Sequence, residues 1–344
     1  MRLNFQRRVL YTVGVSLASI VLLLLAWQIR DVMLIGFAGF IVAVFFDACA
    51  GGVRRVTRLP HGWSLFVTIA VLTGAVVLGG LLFLPSVIAQ LNELFVRLPT
   101  LLGDLRAALE RTSWGNTLLT SLPDTAALSG EAGSVFAGVG STVSITVSSI
   151  ADAVFIVVIG VFLAATPGAY QRGLLRLVPS EFEGRVKTLL GEVIATLQAW
   201  LIGQSIAMFF VAVFTAVGLT LAGVPFPLAL GIIAGLLDLI PFFGPLMAAI
   251  PAVLIGFTNG VWTGVWAAVA FLVVQQLEGN VIQPLVQRRA VQIPPAILVL
   301  ALIVMGKLFG FLGVLVATPL AAVILLLVRH LYVRGVLNKQ ADGV

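Results

Sequence analysis

The chain has 344 residues, 60% hydrophobic and 10% charged, with a mean hydropathy of +1.15. Soluble domains carry about 25% charged residues, so composition excludes a water-soluble fold and indicates an integral membrane protein. The net charge of +6 does not indicate a nucleic-acid partner, because the basic residues sit in short clusters beside apolar runs, where membrane topology places them. The single cysteine, Cys49, excludes an intramolecular disulfide and a cysteine-based metal site. His61 and His330 stand at the ends of apolar runs, which suits interfacial positions better than metal ligation.

Two apolar runs, about Val9 to Ile29 and Val32 to Ala50, are each long enough to cross a bilayer as helix and are separated by Arg30 and Asp31 alone. They are expected to form a tight antiparallel pair. The first has no small-residue cleavage signature near Trp27 and reads as an uncleaved span. Arg2, Arg7 and Arg8 precede the pair, and Arg54, Arg55 and Arg58 follow it, which places both flanks in the cytoplasm. A third span, about Trp63 to Leu84, completes a segment of three helices over residues 1–84.

Residues 85–141 differ in kind. Ile88, Leu91, Phe95, Leu98, Leu102, Leu105 and Leu109 recur at helical spacing between charges, which predicts an amphipathic helix pair bent at Pro99. Five acidic residues stand here against three arginines, as suits the outer face. A lid or oligomer contact and a helical pair lying on the bilayer are both compatible with this pattern. Residues 142–222 hold a fourth span, to Ala165, and a fifth, from Gly203 to Ala222. Asp152 is expected near the outer interface. Between these spans Ser180 reads as an N-cap with Glu183 closing a capping box. Val186, Leu190, Val193, Leu197 and Leu201 mark the apolar face of a helix on the inner surface.

Residues 223–328 carry the chemistry. Phe226 to Phe257 is an apolar run broken at Pro241, Gly244 and Pro245; Ala296 to Leu327 is another, broken near Gly306, Lys307, Gly310 and Gly313. One uninterrupted span, about Val261 to Leu277, lies between them. The arms of each run, about 15 residues or roughly 22 Å, fall short of a roughly 30 Å hydrocarbon core. They can be tightly bent double spans or re-entrant hairpins, and the short arms and matched breaks favour the hairpins. Paired interrupted segments are the best sequence pointer to a transporter binding site. Asp238 stands just before the first break, Lys307 at the second, and Gln276, Glu278 and Asn280 close the span between them. A charge in an apolar run needs a polar cavity or a partner, so these residues are expected to line a hydrophilic path. Against this, Asp238 could serve a structural pairing, and Glu278 and Asn280 could be merely interfacial. The remaining residues, 329–344, read as a cytoplasmic tail.

Three strings carry a resemblance: LDLIPFFGPLMAAIPAVLIG, QQLEGNVIQPLVQ and IPPAILVLALIVMGKLFGFLGVLVATPLAAV. Together they closely resemble the signature half of the autoinducer-2 exporter family of bacterial membrane proteins. The resemblance implies an all-α inner-membrane transporter of about eight membrane segments, with both termini cytoplasmic and a homo-oligomeric assembly. It implies further that Asp238, Pro241, Gly244, Pro245, Glu278, Asn280, Pro284, Gly310, Gly313 and Pro319 are functional or hinge positions. Members are described as exporters of autoinducer-2 and some as sodium/proton antiporters. The implied partners are therefore a small polar solute, H+ or Na+, and the lipid bilayer, with no cofactor. Lys307 and the Phe242-Phe243 pair depart from the family pattern, so the substrate does not transfer with it. A membrane scaffold acting through the outer segment is a third expectation. An enzyme is not expected, since no HExxH, GxSxG or phosphate-cradling GxxxxGK[ST] string is present.

Overall fold

The computed structural model describes residues 27–82, 147–286 and 293–334, with isolated positions at 19, 21, 24, 85 and 89. The expected first span, the amphipathic outer segment and the loop with Arg288 and Arg289 fall wholly or mostly outside these residues. Among the described residues the chain is all-helical. Helix α1 spans Arg30–Thr57, α2 His61–Leu82, α3 Val147–Ala165, α4 Pro167–Leu175 and α5 Ser180–Leu221. Helices α6 Pro227–Leu237 and α7 Phe243–Asn259 follow. Next come α8 Val261–Leu277, a π-helical turn Glu278–Ile282, α9 Gln283–Val286, and α10 Pro295–Leu327 with a π-helical end at Val328–Arg334. Five helices are long and apolar enough to cross a membrane, and the bent pair α3–α4 makes six.

Several expected boundaries move. The second span begins at Arg30 and runs to Thr57, because three of its last residues before the end, Arg54, Arg55 and Val56, continue the helix into the polar boundary. Ser180 is the first helical residue of α5 and not its cap: Pro179, extended at φ −54° and ψ 142°, occupies the cap position without a side-chain bond. The surface helix and the fifth span are one continuous helix of 42 residues, about 63 Å long. Its buried stripe is Leu189, Val193, Leu197, Trp200, Gln204, Ala207, Val211, Thr215 and Leu219, with Val186, Leu190 and Leu201 only partly covered.

Helix α6 folds back on α5 through a small-residue seam. Gly231 and Gly235, one turn apart, face Ala212 and Ala216, so the two backbones approach closely, as small residues allow inside membranes. Val211, Leu219, Leu230, Ala252, Ala267 and Phe271 bury a shared apolar cluster that ties α5, α6, α7 and α8 together.

Both interrupted runs double back. In the first, α6 ends at Leu237 and α7 starts at Phe243, with arms of 11 and 17 residues. Phe242 lies at φ 66° and ψ −48°, a left-handed conformation that costs a bulky residue energy and turns the chain. Gly244 lies against the Leu237 carbonyl, where no Cβ fits. In the second, the break is one residue, Gly310, at φ 62° and ψ −143°, a region that only glycine enters freely. A straight helix would hold residues 305 and 313 about 12 Å apart. Instead Gly313 lies against the Met305 carbonyl, and Gly306 faces Val314. Each turn is therefore sealed by a glycine on the carbonyl of the arm before it. The two hairpins meet: Ile240, from the first turn, is buried with Leu298, Leu302, Met305, Val316 and Ala317 of α10 and with Leu34 and Ala38 of α1.

The glycine seal predicts a strong asymmetry between substitutions. Gly244→Ala forces the Leu237 carbonyl to move and is expected to destabilise the fold by about 2 kcal/mol or more. Gly191→Ala, on an open face inside α5, is expected to leave the fold intact and to stabilise it by about 0.5–1 kcal/mol through helix propensity. Thermal unfolding of the detergent-purified variants checks both.

Candidate functional site

Breaking a helix in apolar surroundings leaves backbone groups with no water to receive them, so each must find a partner inside the protein. The first hairpin shows how this is met. Asp238 caps the C-terminus of α6 and is 4% exposed. Its amide still closes the helix on the Ala234 carbonyl, and the next amides bond tightly within the turn: Ile240 N–H to Leu237 O at 2.9 Å and Gly244 N–H to Ile240 O at 2.9 Å. The Asp238 carbonyl is taken up by a side chain. Gln204 of α5, also buried, donates its Nε2 to the Asp238 carbonyl at 2.9 Å and to the carboxylate Oδ2 at 3.2 Å. One amide thus holds both the broken backbone and the charge beside it.

The second carboxylate comes from the end of α8. There the helix widens into the π-helical turn Glu278–Ile282, which rotates Glu278 inward to 6% exposure. Gln275 donates to its Oε2 at 3.0 Å and Gln283 to its Oε1 at 2.8 Å. Both the π turn and α9 pack on α5, the helix that supplies Gln204. Two carboxylates, each held by glutamine amide donors, therefore share one buried district between α5, α6 and α8.

The other expected residues are placed differently. Gln276 and Asn280 are exposed and turn away from Glu278, because the helical period that buries residues 274 and 278 sends 276 and 280 outward. Lys307 is exposed, three residues before the turn at Gly310. Pro241 and Pro245 flank the first turn, and Gly310 and Gly313 form the second. Pro319 is buried inside the second arm of α10, and Pro284 is exposed in α9. Reading the sequence alone leaves Gln204, Gln275 and Gln283 without a role. The usable signal for Gln204 is a polar side chain inside a span, which is costly unless it meets a partner. Two further polar atoms lie inside the core: the hydroxyls of Thr215 and Thr318 are buried without a hydrogen-bond partner among the described residues. Thr318 follows directly on Val316 and Ala317, which pack against the first turn.

Both histidines bridge helix ends and sit apart from this district. His61 Nε2 lies 3.0 Å from the Ala164 carbonyl and its Nδ1 3.9 Å from Asp47, which also accepts from Gln198 at 3.0 Å. His330 Nε2 lies 2.8 Å from Glu192 on α5. Among the described residues no cluster of three or more His, Cys, Asp or Glu side chains is arranged to hold a metal ion.

Gln204→Leu keeps the apolar packing but strips the Asp238 carbonyl and carboxylate of their donor. A loss of about 1–3 kcal/mol is expected, the cost of an unsatisfied buried acceptor, read as a lowered unfolding midpoint in detergent.

A candidate transport protein of Bacillus subtilis, YrrI, is 31% identical over 154 residues, which cover 45% of this chain and 44% of that protein. The match thus spans less than half the length of that relative. A candidate transport protein of Synechocystis is 26% identical over 287 residues, 79% of this chain and 80% of its own. A candidate permease of Escherichia coli, PerM, is 38% identical over 69 residues, 20% of each chain. The profile described as AI-2E family transporter matches residues 17–332, and the chain belongs to this family of membrane transporters.

Proposed function

We propose that this protein is a secondary transporter that exports a small polar solute by alternating access, with Asp238 and Glu278 lining the path. The observation that carries the reading is the pair of buried carboxylates held by Gln204, Gln275 and Gln283 beside a helix break. Burying charge in an apolar core is costly, and such groups in membrane segments mark solute and ion pathways. The two glycine-sealed hairpins are the elements that move, entering and leaving the bilayer on one side as re-entrant segments within a set of eight. The inner membrane, cytoplasmic termini and assembly of several copies complete this reading. Autoinducer-2 is the solute that the family resemblance implies, and the Thr318 hydroxyl, buried without a partner among the described residues, is a further polar group available to a polar solute. Gln276, Asn280 and Lys307, which lie on the protein's surface, then serve the mouths of the path.

The second buried carboxylate also favours a sodium/proton antiporter. Two like charges in an apolar surround repel, and a cation or proton between them relieves that repulsion. Proteoliposomes with imposed proton or sodium gradients separate the readings. Under export of a polar solute, Asp238→Asn lowers solute efflux by at least about tenfold, because the neutral amide no longer presents the charge for which the site is built. Under antiport, the same variant abolishes pH-dependent sodium flux. Wild-type rates of every solute and of sodium in Asp238→Asn would sink both.

A further inference from the structure

A threonine or serine inside a helix has a ready partner for its hydroxyl in the carbonyl one turn earlier. Thr57, Thr68, Thr188, Ser205 and Thr220 each use it. Thr318 does not. It is 4% exposed inside the second arm of α10, and its Oγ1 has no hydrogen-bond partner among the described residues. The next residue, Pro319, has no amide to give the Leu315 carbonyl, so the usual helical bond is missing there as well. Residues 315 and 318 are three apart and are therefore neighbours on the helix. Two oxygens that lack their ordinary helical bonds thus lie together in an apolar surround, where each is costly to leave unmet.

Packing brackets this pair. Toward the turn, Val316 and Ala317 are buried with Ile240, two residues from Asp238. Away from it, Val323 and Leu326 pack with Leu197 and Leu201 of α5, and Leu201 is three residues before Gln204. Thr318 therefore falls at the level of the contact between Gln204 and Asp238. The potential there is negative. Asp238 caps the C-terminus of α6, the negative end of a helix dipole, and its side-chain donor is the neutral amide of Gln204. Among the described residues no salt bridge joins Asp238 or Glu278 to a basic side chain.

A water would satisfy the two oxygens and leave that charge unanswered, whereas a cation meets both needs. Hydroxyl, carbonyl and carboxylate oxygens are the ligands of hard cations, and interrupted membrane helices hold such ions on carbonyls of this kind. A divalent ion calls for several carboxylates, and no cluster of three acidic, histidine or cysteine side chains is present among the described residues. We propose that the Thr318 hydroxyl and the Leu315 carbonyl bind a monovalent metal cation beside Asp238, between the second arm of α10 and the first turn. The proposal deepens the transport reading by giving a driving ion its place. It rests on that reading for the ion's use and not for its binding.

The full-length protein in detergent is unfolded by heat while NaCl or KCl replaces choline chloride at constant ionic strength and pH. The expected result is a saturable rise of the unfolding midpoint with at least one of the two metal cations. T318V keeps the volume but removes the oxygen, and raises the half-saturating concentration by about tenfold, whereas T318S restores it. P319A returns an amide to the Leu315 carbonyl and raises the same concentration, which decides the matter should T318V fail to fold. T215V removes the other partnerless hydroxyl, about 16 Å beyond Gln204 along α5, and responds to the cation as wild type does. Equal midpoints in the metal salts and choline chloride, or a wild-type response in both T318V and P319A, would overturn the proposal. Either result leaves the efflux test on Asp238→Asn to be judged separately.

Discussion

The amide of Gln204 on Asp238 is the contact on which the broken-helix half of this molecule depends. A helix interrupted in an apolar surround exposes a carbonyl, and the residue at that interruption carries a charge. Either one alone is costly without water. A single side chain from the longest helix answers both, and the same helix backs the turn that carries Glu278. Helix α5 is thus the wall against which a broken hairpin and a second carboxylate are set.

The hairpins solve their turns by the same means. Gly244 on the Leu237 carbonyl and Gly313 on the Met305 carbonyl let each arm return within van der Waals contact of the one before it. Such a turn is compact, and at the first break it is closed by backbone bonds from Ile240 to Leu237 and from Gly244 to Ile240. Ile240 packs the first hairpin against the second, since it is buried among Leu302, Met305 and Val316. The two breaks thus meet through packing two residues from Asp238.

Much of this was legible in the sequence, for identifiable reasons. Spans show as apolar runs, and α8 matches its expected limits because a run bounded by Gly260 and Glu278 has unambiguous ends. Asp238 and Glu278 stand out because charges in apolar runs are rare. The partner of Asp238 was not legible, since Gln204 is 34 residues from Asp238 and only the fold-back of α6 joins them. Gln275, three residues before Glu278, shares its helical face and Gln276 does not, which spacing alone makes legible, whereas Gln283 reaches Glu278 only across the π turn, which shifts the register by one residue. The bend between α3 and α4 was hidden as well: Thr166-Pro167-Gly168 reads as the end of a span, and nothing in it specifies an 85° turn.

The central claim is that the first hairpin's tip is a moving element inside the membrane, reachable in turn from each side. With Cys49 replaced by alanine the chain has no other cysteine, so Leu239→Cys places a single thiol beside Asp238. Its reaction with a membrane-impermeant maleimide, applied separately to right-side-out and inside-out vesicles, is the direct measurement. The account predicts slow labelling from both sides, with the balance shifted by an imposed ion or solute gradient. Fast labelling from one side only, unaffected by any gradient, would contradict it.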